Sequence, residues 1–188
     1  MKRKKDTYEQ KNIGKYKILE EKLVYKDKWF RMFECKVLLP NKEIATWTYG
    51  KGSDAVSAVV LDDNKNVFLI REWRLPFKKE IITLPVGGVV GKNIRECLKL
   101  ELAQEIGVFG EKVEKLATIL LGHRIKIRIH IFLVRDLYKC KVERERHEFM
   151  KVFKIPFKKA FSMFFEKDIP TTADTLIGLL LTKEKLNL

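Results

Sequence analysis

The feature that most constrains the fold is a glycine-rich segment that leads into a short helix with spaced carboxylates, within residues 84–108. Asn93 precedes the predicted helix as an N-cap, and Glu96 follows three residues later, as in a capping box. Gly107 stands where a helix often ends in a left-handed residue. The sequence therefore predicts a helix over residues 94–106.

Two carboxylates on this predicted helix point to metal chemistry. Glu101 and Glu105 are four residues apart, so their side chains project from one helix face about one turn apart. In that arrangement both can reach a shared hard cation such as Mg2+. The preceding loop, residues 87–93, has neither Walker nor dinucleotide-binding spacing. The segment therefore indicates a metal–phosphate site or the remnant of one.

Residues 100–108 resemble the end of the box of the Nudix hydrolases, which reads Arg-Glu-hydrophobic-x-Glu-Glu-x-Gly-hydrophobic. Three further segments are similar to the ADP-ribose pyrophosphatase branch of that family, namely 71–76, 84–88 and 169–175. The resemblance covers roughly residues 16–185. It implies an α/β (α+β) fold, namely a Nudix α/β/α sandwich with a mixed sheet and a small N-terminal antiparallel β-sheet.

The resemblance also implies an activity, the divalent-metal-dependent cleavage of a phosphoanhydride in nucleoside-diphosphate derivatives such as ADP-ribose. Mg2+ or Mn2+ would be held by Glu101, Glu105 and the carbonyl of Val86. The best matches to the family's general base are Glu148 and then Glu145, and Glu105 is the third candidate catalytic carboxylate. The candidate substrate-binding residues are Arg71, Arg74, Arg124, Gly87 and Gly88. Dimers of the resembled branch further imply a homodimer.

The chain departs from the Nudix pattern at three positions. Leu100 replaces the box arginine, Gln104 replaces the first glutamate of the closing pair, and Lys92 corresponds to the early glutamate. Gln104 can coordinate through its amide oxygen but brings no charge, and Leu100 has no guanidinium to orient a carboxylate. Two hypotheses follow: a hydrolase weakened by a degenerate box, or an inactive Nudix fold that binds a nucleotide, RNA or a protein.

The distribution of apolar residues and turn residues predicts two domains. A domain of residues 1–52 comprises a basic leader and a three-stranded sheet that would pair with a second subunit, and a Nudix domain comprises residues 53–188. The predicted N-terminal strands are 16–25, 30–39 and 43–49, and a hairpin is predicted from 55–61 and 66–72. Helices are predicted near 157–166 and 172–185. Their apolar residues are expected to pack on the sheet: Phe161, Phe164, Phe165, Leu176, Leu179 and Leu180.

Within residues 123–131, basic and isoleucine side chains alternate strictly from Arg124 onwards, which predicts one strand with a basic face. That face, formed by Arg124, Lys126, Arg128 and His130, is either a surface for an anionic ligand or a solvated strand face.

Composition sets the outer limits. The chain has 188 residues, 46% of them hydrophobic, which is enough for one substantial core. The net charge of +14 favours phosphate-bearing ligands and polyanions, although no nucleic-acid-binding motif accompanies it. No apolar run approaches the roughly 20 residues that cross a bilayer. The three cysteines are odd in number and widely spaced, which predicts free thiols and a cytoplasmic location.

Overall fold

The computed structural model of the protein describes residues 15–91, 93–140, 149–167 and 169–188. The strands are β1 (Lys17–Lys26), β2 (Phe30–Leu38), β3 (Ile44–Gly52), β4 (Ala55–Val60), β5 (Asn66–Arg74), β6 (Lys79–Thr83), β7 (Val86–Gly88), β8 (Val108–Leu120), β9 (Ile125–Lys126), β10 (Arg128–Lys139) and β11 (Met150–Pro156). The α-helices are α1 (Ile94–Ile106), α2 (Phe157–Phe165) and α3 (Ala173–Leu186). All three predicted helices are confirmed.

The described residues form two compact units, of which the first comprises the chain through Gly52 together with His123–Lys126. Its sheet has the order β1-β2-β3-β9, with β1, β2 and β3 antiparallel as predicted. The short strand β9 adds in parallel to β3. Cys35 and Val37 are buried in this unit, whereas every residue of β1 is exposed.

The second unit comprises Ser53–Gly122 and Ile127–Leu188 and contains two sheets. One has the order β7-β4-β10-β8 and the other has the order β11-β5-β6. The first of these is mixed, because β10 runs parallel to β4 but antiparallel to β8. The predicted α+β class with a mixed sheet is confirmed.

Both faces of the mixed sheet are covered, and β4 illustrates how. Val56, Ala58 and Val60 alternate along one face and pack with residues of α1. Val59 points to the opposite face, where it belongs to the core cluster of α2 and α3. A strand buried on both faces reads as a continuous apolar run, as this one does. The resulting layers are those of the predicted α/β/α sandwich.

The predicted hairpin of residues 55–61 and 66–72 is wrong. Its strands exist as β4 and β5, but they belong to different sheets and are joined only by an isolated bridge between Leu61 and Val67. The turn residues between them are correctly identified, since Asp62 accepts backbone hydrogen bonds from Asn64 and Asn66. A local turn signal therefore did not specify which strands pair.

The prediction that residues 123–131 form one strand is also wrong. Ile125–Lys126 form β9 of the first unit, whereas β10 begins at Arg128 in the second unit. His130 lies on a central strand and is only 5% exposed, so it does not share a solvated basic face. The alternation of residue types was therefore not an alternation between solvent and core.

The packing of the last two helices largely follows the prediction. Phe164 and Leu179 are buried, and Phe161 and Leu176 pack against the same cluster. The prediction is wrong for the two others, since Phe165 is 40% exposed and Leu180 is 49% exposed.

All three cysteines are free, as predicted. None of the helices in the described part of the chain is long and apolar enough to cross a membrane.

Candidate functional site

Helix α1 is held in place by its ends and by one buried face. The side chain of Asn93 accepts a hydrogen bond from the backbone N–H of Glu96 at 2.9 Å, and Gly107 ends the helix with φ +71°. These are the two caps that the sequence predicts. Cys97, Leu98 and Leu102 anchor the helix on the mixed sheet. Its C-terminal half therefore occupies a defined position beside β7.

Glu105 reaches from α1 to the glycine-rich strand. It is 5% exposed, and its Oε2 atom accepts a hydrogen bond from the backbone N–H of Val86 at 3.1 Å. A buried carboxylate requires such donors, because water no longer solvates its charge. The hydrogen bond brings the helix carboxylate next to the Val86 peptide, as the candidate site requires.

Glu101 lies directly over the backbone of Gly87, which is the residue that follows Val86 in the chain. A Cβ atom built on Gly87 would lie 2.0 Å from the Cδ atom of Glu101 and 2.2 Å from its Oε2 atom. Any side chain at this position would therefore overlap the carboxylate. The glycine serves here to permit a close approach of side chain to backbone. We call Val86, Gly87, Glu101 and Glu105 the carboxylate corner.

The donors of the carboxylate corner suit a hard divalent cation. Carboxylate and carbonyl oxygens are the ligands that Mg2+ and Mn2+ prefer. Because Gly87 has no Cβ, the Glu101 carboxylate lies directly against the backbone, which is consistent with a site where groups approach closely. Within residues 15–91, 93–140, 149–167 and 169–188, no three His, Cys, Asp or Glu side chains gather into a metal-binding group. In this part of the chain, the two carboxylates and the Val86 carbonyl are thus the candidate ligand set.

Comparison with known proteins finds similar sequences and a similar fold. No family model matches the chain. The chain is 24% identical over 162 residues to the ADP-ribose pyrophosphatase of Bacillus subtilis (strain 168), covering 81% of this chain and 88% of that protein. It is also 24% identical over 163 residues to the methanol dehydrogenase activator of Bacillus methanolicus, with the same coverage.

The fold comparison agrees. A crystal structure of an ADP compounds hydrolase superposes with a TM-score of 0.81 and 17% identity, covering 93% of this chain and 96% of that one. The chain is therefore similar in sequence to an ADP-ribose pyrophosphatase and in fold to an ADP compounds hydrolase. The resemblance found from residues 71–76, 84–88, 100–108 and 169–175 is thereby confirmed.

Two of the predicted substrate-binding residues, Arg71 and Arg74, lie on β5. The guanidinium carbon of Arg71 lies 5.9 Å from the ring centroid of Phe153, and Arg74 pairs with Glu72. These contacts all lie within the sheet of β11, β5 and β6. Gly88, a third candidate, follows Gly87 on β7 and is exposed.

Arg124 lies in the first unit, where it lines a cavity of about 600 Å3. Trp47, Tyr49, Cys35 and His123 are among the other residues of its wall. Burial, together with a hydrogen bond to Glu21, raises the pKa of Tyr49 to about 12. Burial also raises the pKa of the Cys35 thiol, which keeps it in the unreactive protonated form.

The other basic residues predicted near Arg124 have different surroundings. Arg128 donates to Asp54 through its backbone N–H and its guanidinium, with the closest contact at 2.7 Å. Burial alone would raise the pKa of Asp54, but the bonds from Arg128 outweigh it and lower the pKa. His130 shares a 3.0 Å hydrogen bond with Thr118, and burial followed by the charge of Lys115 lowers its pKa. Neither residue forms a free anion-binding face.

The two candidate general bases, Glu145 and Glu148, lie outside the described residues, as does Lys92. The structure therefore brings together Val86, Gly87, Glu101 and Glu105 out of the predicted set. Sequence reasoning assigned no role to Thr175, whose hydroxyl contacts the segment that precedes Val86. The signal was present in the motif at residues 169–175, which marked the family but did not indicate a contact.

Proposed function

We propose that this protein hydrolyses nucleoside-diphosphate derivatives of the ADP-ribose type, with a divalent metal ion, at a rate reduced by its degenerate box. The main support for the proposal is the carboxylate corner, where Glu101 lies against the backbone of Gly87 and Glu105 accepts a hydrogen bond from the backbone of Val86. The names of the relatives, an ADP-ribose pyrophosphatase and an ADP compounds hydrolase, support this class of substrate.

In this proposal Glu101, Glu105 and the Val86 carbonyl hold Mg2+ or Mn2+. When bound, such an ion polarises phosphoryl oxygens and lowers the pKa of a coordinated water. The chain supplies the remaining functions. Glu148 or Glu145 accepts the proton of the attacking water, because a carboxylate ionised at neutral pH can act as a general base.

Substrate binding is assigned to basic side chains and to glycine backbone. Arg71 and Arg74 neutralise charge on the pyrophosphate, and this effect is largest as negative charge develops on the leaving group. Gly87 and Gly88 allow the diphosphate to approach the peptide groups closely. The net charge of +14 draws such anions towards the protein.

The departures at Leu100 and Gln104 support a weakened enzyme and also keep the second hypothesis open. Each removes a charged group from the box, and removing one such group commonly lowers a catalytic rate by roughly 100-fold or more. The specific observation that favours an inactive binding module is that the described carboxylate corner has two acidic side chains and not three. Such a module would bind a nucleotide, RNA or a protein without turnover.

Calorimetric titration of Mg2+ and Mn2+, alone and with ADP-ribose, tests the proposal. Glu101→Gln and Glu105→Gln remove one charge each while preserving shape, and Glu96→Gln makes the same change at an exposed position of α1. We expect the first two variants to weaken metal binding by about 10-fold or more, because each loses a charged ligand. Glu96→Gln should match the wild-type protein.

Phosphate release from a panel of nucleoside-diphosphate derivatives completes the test. Metal-dependent release that is lost in Glu105→Gln supports the hydrolase. If the wild-type protein produces no heat with either metal, the hydrolytic proposal fails. Binding of ADP-ribose without metal and without release would favour the binding module.

We further propose that the first unit forms a homodimer and that the protein is cytoplasmic. The dimer is supported by large apolar side chains that are exposed on β1, β2 and β3: Ile18, Leu19, Leu23, Val24, Tyr25, Met32, Ile44 and Trp47. Large apolar side chains exposed in this number on one sheet are a common mark of a protein interface. The free cysteines are consistent with a reducing compartment.

A further inference from the structure

The link between β6 and β7 leads into the carboxylate corner, and the N-terminus of α3 contacts it. The hydroxyl of Thr175 accepts a hydrogen bond from the backbone N–H of Leu84 at 3.0 Å. Thr171, just before the helix, donates its hydroxyl to the carbonyl of Ile82 at 2.6 Å. Two threonine hydroxyls therefore bond to backbone groups of residues 82 and 84, where the chain passes from one sheet to the other and backbone partners are fewer.

Pro85 and Val86, the two residues that follow Leu84, form hydrogen bonds to other elements of the fold. The carbonyl of Pro85 accepts a hydrogen bond from the N–H of Ala58 at 3.1 Å, and the N–H of Val86 is donated to Glu105 at 3.1 Å. Leu84, Pro85 and Val86 thus bond in succession to α3, β4 and α1. A peptide group bonded in this way at successive residues has little freedom to rotate.

Helix α3 is itself fixed where it supports the link. Asp174 is 4% exposed, and its Oδ2 atom accepts a hydrogen bond from the hydroxyl of Ser57 at 2.7 Å. Ser57 lies opposite Val86 in the pairing of β4 with β7. The carboxylate also lies in the first turn of α3, where negative charge is favourable.

Close packing brings the same helix against Leu84. A Cβ atom on Gly178 would lie 2.9 Å from the Cδ1 atom of Leu84 and 3.1 Å from the Cγ2 atom of Val59. The absence of a side chain at Gly178 therefore lets α3 approach the link and the sheet. Such an approach is needed for the short hydroxyl of Thr175 to reach a backbone N–H.

We infer that Thr175 is a positioning residue for the proposed metal site, acting through the peptides of Leu84, Pro85 and Val86 and assisted by Thr171 and Asp174. Its hydroxyl binds the backbone N–H of Leu84, and through the link it limits the movement of Val86, whose carbonyl is a proposed ligand and whose N–H donates to Glu105. This inference rests on the proposed function for its consequence. Its structural part, the restraint of Val86 by Thr175, can be measured without metal or turnover.

The test compares Thr175→Val and Thr175→Ser with Thr182→Val. Valine keeps the shape and removes the acceptor, whereas serine restores a hydroxyl. Thr182 lies on the same helix and is fully buried, and its hydroxyl has no hydrogen-bond partner among the described residues, so it is a matched control. Amide hydrogen exchange of Leu84 and Val86, Mn2+ affinity by calorimetry, and kcat and KM for ADP-ribose are measured for each variant.

We expect exchange at Leu84 and Val86 to be about 10-fold faster in Thr175→Val, since one hydrogen bond is lost. Mn2+ affinity should fall by about 10-fold, as for other residues that orient a ligand, and kcat should fall while KM stays unchanged. Thr175→Ser should recover most of each loss, and Thr182→Val should behave as the wild-type protein. If Thr175→Val does not fold, Thr175→Ala tests the same restraint, because it also removes the acceptor of the Leu84 hydrogen bond.

Two results would overturn the inference. One is exchange at Val86 that is equal in Thr175→Val and Thr182→Val. The other is normal Mn2+ affinity in Thr175→Val despite faster exchange. If the wild-type protein itself binds no metal, the proposed function fails, whereas the exchange measurement still decides whether Thr175 restrains Val86.

Discussion

Replacing Gly87 with alanine separates stability from metal binding at the carboxylate corner. The new Cβ would lie 2.0 Å from the Cδ atom of Glu101, so this carboxyl group must move by more than about 1 Å to restore van der Waals contact. The atoms that clash belong to the end of a flexible side chain and not to backbone. Glu101 can therefore rotate away, and the fold can accept the alanine.

The magnitudes indicate a small change in the free energy of unfolding. Gly87 does not have a positive φ, so alanine can adopt its backbone conformation and gains about 0.4–1 kcal/mol from the unfolded chain. A less favourable rotamer of Glu101 costs about 0.5–1.5 kcal/mol. These two terms nearly cancel, and the interactions that Glu101 gives up when it moves cost about 0.5–1.5 kcal/mol, so we expect the free energy of unfolding to fall by no more than about 2 kcal/mol.

Metal binding should change much more, because the displaced carboxylate is one of the proposed ligands. We expect Mn2+ affinity to fall by about 10-fold or more, which corresponds to about 1.4 kcal/mol or more. Calorimetric titration measures the affinity, and denaturant unfolding measures the stability.

Gly88→Ala is the control, since the nearest heavy atom to its added Cβ is 3.9 Å away. Gly88 is a candidate substrate contact, so this control applies to metal affinity and stability and not to turnover. Equal Mn2+ affinity in the two alanine variants would refute the role of the Glu101 position. A loss of several kcal/mol of stability in Gly87→Ala would show instead that Glu101 cannot move.

Two further predictions concern the degenerate box and a buried histidine. The double variant Leu100→Arg, Gln104→Glu should raise Mg2+-dependent turnover by about 10- to 100-fold, since it restores an orienting guanidinium and a carboxylate; no gain in phosphate release would favour the binding module. His130 should titrate below pH 6.5 by NMR, because burial and then Lys115 lower its pKa. The stability that its neutral ring contributes is present above the unfolded pKa of about 6.5 and is lost as pH falls through the lower folded pKa. As the pH falls from about 6.5 through the folded pKa of His130, the free energy of unfolding should therefore decrease for the wild-type protein but not for His130→Gln. An equal pH dependence of the two proteins would contradict the lowered pKa of His130.

The local features of α1 could be predicted because they depend on neighbours in the chain. Asn93 caps the helix through the N–H of Glu96, Gly107 ends it in the left-handed region, and the spacing of Glu101 and Glu105 follows from the helical repeat. The same holds for the strands of the N-terminal sheet, whose connecting turns are short.

The pairing of strands could not be predicted from the same signals. β4 and β5 flank a genuine turn at Asp62, yet each pairs in a different sheet. Residues 123–131 alternate in type as one strand would, yet the chain leaves β9 for the first unit before β10 begins. Which strands pair depends on burial and hydrogen bonding across the whole fold. A short window of sequence contains no information about these distant contacts.

The sequence by itself indicated the family resemblance and the fold class. It also determined the helix that carries the acidic residues and the spacing of those residues, since these depend on local hydrogen bonds and on periodicity. Only the tertiary structure decided that Glu101 lies on the backbone of Gly87, that His130 is buried, and that Thr175 bonds to Leu84 across 91 residues of sequence. These contacts join segments that are far apart in the chain, and their geometry exists only after the sheets and helices have packed together.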